Sequence, residues 1–203
     1  SFNNSAISSD CYIRISDGFI VVNADGDGLD SNGNLYLDGS TVIVNGPTNS
    51  GNGALDYDGT CTITGGTLIA AGAAGMAQSP TSSSTQNVVS VILPSSQAAG
   101  TMVSIVDESG TSVITCSPTK QFQSVIISSP LLTGGSTYTV YYGGSFNGSS
   151  ESGLYEGSGY RPGTELSIFT ISNVISNVSN GSATGKMGIG GFGGGGMGSG
   201  RMR

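Results

Sequence analysis

Short runs of alternating apolar and polar residues recur along the chain, separated by glycine turns. Three stretches within residues 1–78 align with one another. Ile15–Asn23 (ISDGFIVVN) matches Leu37–Asn45 (LDGSTVIVN), and both match Ile63–Ala71 (ITGGTLIAA). A second line of matches joins Ala6–Asp10 with Gly28–Asn32 and Ala54–Asp58. The first line opens at positions 15, 37 and 63 and the second at 6, 28 and 54, so both lines keep the same two offsets. A period of roughly 20–30 residues, built from short β runs and no helical period, is the mark of a solenoid. Each repeat holds about three short strands, which describes one coil of a parallel β-helix.

Alternation assigns the faces. Ile13, Leu35 and Cys61 stack inward, as do Ile15, Leu37 and Ile63, while Arg14, Tyr36 and Thr62 point outward. After the glycine bend, Ile20, Val42 and Leu68 point in. The alternate ladder Val21, Ile43 and Ile69 then points out, yet it is apolar. An apolar outer face on a parallel sheet needs a cover. Residues 85–172 or a neighbouring chain are expected to supply it. The two ends of such a stack are open strand edges. The far end can be capped by the residues that come after it. The near end begins inside a coil, so further coils or another protomer are expected there.

Ser79–Gln86 reads as a polar linker. Beyond it, Val88–Leu93, Thr101–Val106, Ser112–Cys116, Phe122–Ser128, Thr137–Tyr142 and Leu166–Ile171 are predicted strands. Their spacing and turn residues suggest a small antiparallel β-sandwich over 87–184. Gly143–Gly163 is a long Gly/Ser loop carrying Tyr155 and Tyr160. Residues 185–203 form a Gly/Met-rich basic tail, with Phe192, Met187 and Met197 as its contact residues and intrachain and intermolecular packing both open. The chain therefore reads as all-β: coils over 1–78, a linker over 79–86, a sandwich-like domain and a tail.

Composition narrows the chemistry. Of 203 residues only 9% are charged, and there is no His. That removes coiled coils, charge-laced bundles, histidine metal sites and Ser-His-Asp triads. A net charge of −7 argues against nucleic-acid binding. No apolar run of about 18 residues is present to span a membrane. Cys11, Cys61 and Cys116 are odd in number and far apart, so they read as small semi-buried residues and not as a disulfide framework. Asn3, Asn147, Asn177 and Asn180 each begin an Asn-x-Ser sequon, frequent by chance in so Ser- and Asn-rich a chain.

The charge is uneven. Residues 1–78 hold eight acids, all Asp, against one base, Arg14, whereas residues 79–203 are neutral in sum. Asp25, Asp27 and Asp30 crowd one turn with Asn32, and one coil later Asp56 and Asp58 stack on Asp30 and Asn32. Like charges so close are costly without a cation. Ca²⁺ takes several oxygen ligands, and a Ca²⁺ site bridging two coils fits this set. The alternative is a ladder of Asp and Asn turns without metal. Tyr36, Tyr57 and Tyr12 offer flat faces for sugar rings, with ordinary surface packing as the alternative, and Arg14 stands beside them.

These stretches carry a resemblance. Asp25–Gly33, Gly46–Gly59 and Gly65–Gly72, with Ser128-Ser129-Pro130, Thr137–Tyr141 and the Gly/Met-rich end, resemble a family of secreted bacterial carbohydrate-binding β-helix proteins. Members usually carry more coils before this region. The resemblance implies a right-handed parallel β-helix like that of pectate lyases, bound Ca²⁺, and binding of cellulose or an acidic plant polysaccharide such as polygalacturonate. It also implies an extracellular or cell-surface location. A lyase needs a base beside the metal. Arg14 alone makes a thin case, and no carboxylate pair stands out for glycosidase chemistry. The expectation is a non-catalytic binding protein. A rival reading is a self-assembling extracellular filament or layer, associating through Val21, Ile43, Ile69 and the tail residue Phe192.

Overall fold

A computed structural model describes residues 11–180 and 182–183, and all regular structure in them is β. No helix among them is long and apolar enough to cross a membrane. The repeat region forms β1 (Tyr12–Ile15), β2 (Phe19–Asn23), β3 (Leu29–Ser31), β4 (Asn34–Asn45), β5 (Leu55–Tyr57) and β6 (Cys61–Gly72). The remainder forms β7 (Val88–Gln97), β8 (Val103–Asp107), β9 (Ser112–Cys116), β10 (Phe122–Ser128), β11 (Thr137–Tyr142), β12 (Ser145–Phe146), β13 (Ser150–Glu151), β14 (Leu154–Tyr155), β15 (Tyr160–Arg161), β16 (Thr164–Thr170), β17 (Ile175–Ser179) and β18 (Ser182–Ala183).

The repeat strands pair in parallel and in the register that the alignment predicts. Ile13 pairs with Leu35 and Leu35 with Cys61; Ile20 pairs with Val42 and Val42 with Leu68. Leu29 pairs with Leu55, and Asp30 with Asp56, in the separate β3–β5 pair. Two of the expected short strands run together, so β4 and β6 are 12 residues each. The bend between them survives as register shifts from Leu37 to Thr41. Gly66 lies in this bend at φ +82°, where a Cβ would collide with the Ser40 carbonyl. The inward rows are dry: Leu35, Val42, Val44, Leu55, Cys61, Ile63 and Leu68 are all under 2% exposed. Ala70, Val88 and Ile126 complete this core.

The parallel pairing of the repeats stops at β6, and the sheet is mixed: β10 joins antiparallel, and farther on β17 pairs parallel with β7. Both parts of the next edge of β6 are covered by later segments of the chain, though in different ways. Along Leu68–Gly72, β10 pairs antiparallel, with Ile127 opposite Ile69 and Val125 opposite Ala71. Along Cys61–Ile63 the expected linker does the pairing. Thr81 N–H bonds the Cys61 carbonyl at 2.8 Å, Thr85 N–H bonds the Ile63 carbonyl at 3.0 Å, and the Ser84 hydroxyl accepts the Ile63 N–H. Unpaired strand edges template association with other chains, and this one is closed internally. From β10 the sheet continues through β7, β17 and β18. Residues 79–86 therefore divide the chain without dividing the hydrogen-bonded sheet.

A second, antiparallel sheet in the order β13-β14-β9-β8-β11-β16 packs on the outer face of the first. Ile43 and Ile69, from the apolar outer ladder, are buried in one core with Val89, Val91, Val103, Ile105, Val125, Ile127, Val140 and Phe169. The cover is thus the chain's own second half. This corrects their assignment to self-association, since neither reaches the surface. Val21, on the end strand of the same ladder, is 44% exposed, and Phe192 lies outside the described residues. Cys61 and Cys116 are buried and Cys11 is exposed, all three as free thiols. Burial pushes both buried thiols up to about 12, which leaves them un-ionised and inert.

One ladder thus offers two environments for similar side chains. Ile69→Ala is expected to cost about 2–5 kcal/mol by urea unfolding, because it opens a cavity between the two sheets. Val21→Ala is expected to cost less than about 1 kcal/mol.

Candidate functional site

The aspartates predicted as one metal set are divided by the fold. Asp25 is taken by Lys120, which reaches over from the connection between β9 and β10. Its ammonium lies 2.5 Å from Asp25 Oδ1 and donates to the Ala24 carbonyl at 2.6 Å. The same connection is pinned by Thr119 N–H donating to Asn45 Oδ1 at 2.8 Å. The hydrogen bond and charge of Lys120 hold the Asp25 carboxyl below its ordinary range. Asp27 Oδ1 accepts the Gly53 N–H at 2.8 Å, tying one turn to the next. The crowded turn therefore has a cation of its own, supplied from 95 residues away.

Asp30 and Asp56 do stack as the sequence predicts, as in-register partners of β3 and β5. Asp58 follows, its N–H bonding the Ser31 carbonyl at 3.2 Å, and Asn32 is exposed beside it. Partial burial, reinforced by the charges of Asp27, Asp30 and Asp58, pushes the Asp56 carboxyl up. No ligand-type cluster of three or more Asp, Glu, His or Cys side chains comes together to hold a metal among the described residues. Asp30 and Asp56 are strand partners, with Asp58 two residues on from Asp56.

The aromatic candidates also separate. Arg14 sits over the Tyr36 ring, 4.6 Å from its centroid, and pairs with Asp38 at 3.1 Å. Tyr12 meets Tyr36 edge-on at 6.1 Å between centroids. These three make an outward ladder on β1 and β4, with Tyr12 and Arg14 exposed and Tyr36 half-buried. Tyr57 is different: its hydroxyl donates to the Ser79 carbonyl at 2.5 Å, its N–H bonds Gln78, and its ring packs on the inner core. Burial raises its phenol pKa. Tyr57 thus anchors Gln78 and Ser79 to the repeats.

A cleft lies beneath the Gly143–Gly163 loop. The loop is built from the β12–β15 and β13–β14 pairs. The Tyr160 hydroxyl donates to the Gly143 carbonyl at 3.0 Å and accepts the Gly163 N–H. Asn147 N–H bonds the Gly159 carbonyl at 3.0 Å, and the Ser112 hydroxyl donates to the Gly157 carbonyl. Phe146 and Tyr155 pack with ring centroids 4.8 Å apart. One wall is the paired Phe19 and Thr41 of β2 and β4; the other is Phe146, Asn147, Glu151, Leu154 and Glu156 with several serines and glycines. The space between has a volume of about 700 Å³, within the usual range for ligand sites of about 300–1,000 Å³. The signal in the sequence was the length of the loop from Gly143 to Gly163, since so long a connection in a compact domain is commonly functional.

No protein-family model, curated protein or solved structure matches this chain.

The raised pKa of Asp56 fixes the sign of a pH effect. Below the unfolded value of 3.8 the group is protonated in both states and carries no penalty. As pH rises through the folded value, the folded state must ionise a hindered carboxyl, and stability falls. Asp56→Asn is therefore expected to raise the melting temperature at pH 7, by an amount that solvent screening keeps small. The gain should shrink toward zero as the pH of the thermal melt is lowered to about 3.

Proposed function

We propose that this chain is an extracellular, non-catalytic carbohydrate-binding protein, and that residues 11–78 form coils of a right-handed parallel β-helix. The observation that carries the reading is the cleft. A sugar ring presents apolar C–H faces and a rim of hydroxyls. Phe19, Phe146 and Leu154 supply apolar surface, and Asn147, Thr41 and the serines supply donors and acceptors within the same 700 Å³. Its hydrogen-bonded loop is already held in shape, which lowers the ordering cost of binding. Ca²⁺ belongs to the proposal only at the step from Asp30 to Asp56, where in-register carboxylates repel and a hard divalent ion would relieve them.

Charge separates the two candidate polysaccharides. A chain of net −7 repels polygalacturonate, whereas cellulose is neutral. Retention in native affinity gels is expected with soluble cellulose derivatives without added metal, and with polygalacturonate only when Ca²⁺ is present. Phe146→Ala, or Phe19→Ala at the more exposed wall, should weaken retention roughly tenfold, about 1.4 kcal/mol. Unchanged retention in both variants would remove the cleft from the reading.

A second reading, assembly into filaments or a surface layer, is favoured by one observation. Tyr12, Phe19 and Val21 are exposed on β1 and β2, and these end the parallel stack among the described residues. If this edge drives assembly, Val21→Lys should convert concentration-dependent light scattering to that of a monomer. Monomeric scattering by the parent chain at high concentration would exclude it.

A further inference from the structure

The cleft has a charge character that a site for neutral or acidic glycan does not need. Glu151 and Glu156 both line it, both are exposed, and neither has an ion-pair partner among the described residues. No Lys or Arg lines it. The nearest sequence neighbour with positive charge, Arg161, pairs through its backbone with Ser145 in β15 and does not border the space. Elsewhere, Asp25 is neutralised by Lys120, Asp38 by Arg14, and Asp107 is satisfied by Ser109 and Thr111 in its own turn, while Glu108 and Glu165 are exposed outside the cleft. Two uncompensated carboxylates therefore share a concave surface with two phenylalanines and a leucine. Aromatic faces and carboxylates together attract ammonium groups, the ring quadrupole and the negative charge acting in the same direction.

We propose that this cleft selects amine-bearing sugars, that is, oligomers of a deacetylated amino sugar, over neutral and over uronic-acid chains. The proposal rests on reading the cleft as a carbohydrate site and specifies its ligand class. The pyranose C–H faces lie on Phe146 and Phe19. The ring hydroxyls bond Asn147 and its serine neighbours. The ammonium groups pair with Glu151 and Glu156. Uronate chains are repelled at this cleft, because their carboxylates meet the same two glutamates. The Asp30–Asp56 row lies outside the cleft, so amine binding needs no metal.

The test is isothermal titration of the full chain with three oligosaccharides of equal length: glucosamine oligomer, its N-acetylated counterpart, and cello-oligomer. The expected result is that the glucosamine oligomer binds at least tenfold more tightly than either neutral oligomer. Its affinity should fall steeply with added salt. Glu151→Gln and Glu156→Gln, both at exposed positions, should each reduce the glucosamine affinity several-fold and by a larger factor than they reduce the affinity for the neutral oligomers. Equal binding of all three, unaffected by either substitution, overturns the amine preference and leaves a carbohydrate cleft. Tighter binding of an oligolysine of equal charge than of glucosamine oligomer also overturns it, since the glutamates would then be a general cation sink. Absence of binding by all three oligosaccharides removes the carbohydrate reading of the cleft together with the inference.

Discussion

The inner and outer apolar rows of one parallel ladder set the terms for the rest of the molecule. Because side chains alternate, Val42 and Leu68 fill the space inside the repeats while their neighbours Ile43 and Ile69 face away from it. Both faces of the second halves of β4 and β6 are apolar, so neither can be left to water. The second half of the chain answers this demand by laying Val89, Val103, Ile105 and Val140 over the outer row. Burial on both faces is the ordinary condition of parallel strands. Here a single chain achieves it by folding an antiparallel sheet against its own repeats.

Strand edges impose the second constraint. The repeats could propagate beyond β6, since nothing in its backbone forbids another parallel rung. Propagation ends because β10 enters in the opposite direction and because Thr81, Ser84 and Thr85 bond the remaining edge. The change to antiparallel pairing keeps the hydrogen bonds and breaks the repeat. The same docking brings the β9–β10 connection across the repeat turns, which places Lys120 on Asp25 and Thr119 on Asn45. Neutralising the acidic turn and capping the sheet are thus two consequences of one chain path.

That path also makes the cleft. The Gly143–Gly163 loop leaves β11 and returns to β16 over the end of the repeat bend, where Phe19 and Thr41 are paired neighbours. Its own hydrogen bonds give it shape, and the sheet beneath gives it a partner wall. Aromatic packing of Phe146 on Tyr155 stiffens the wall without closing the space. The result is a concave, acidic, partly aromatic surface.

The sequence by itself determined the local pairing: the repeat spacing, the in-register ladders from Ile13 to Cys61 and from Ile20 to Leu68, the stacking of Asp30 on Asp56, and the need to cover Ile43 and Ile69. All of these follow from periodicity, which is a property of neighbours along one chain segment and its repeats. Five of the predicted second-half strands fall within two residues of those formed at both ends, and β7 runs on past its predicted end to Gln97. What only the tertiary structure decided depends on segments with no repeat to align them. The antiparallel entry of β10, the linker acting as an edge strand, the ion pair from Lys120 to Asp25 and the anchoring of Tyr57 on Ser79 join residues 20 to 95 positions apart with no shared pattern. The cleft is the extreme case, since its two walls come from residues 19–41 and 146–159, and no spacing rule links them.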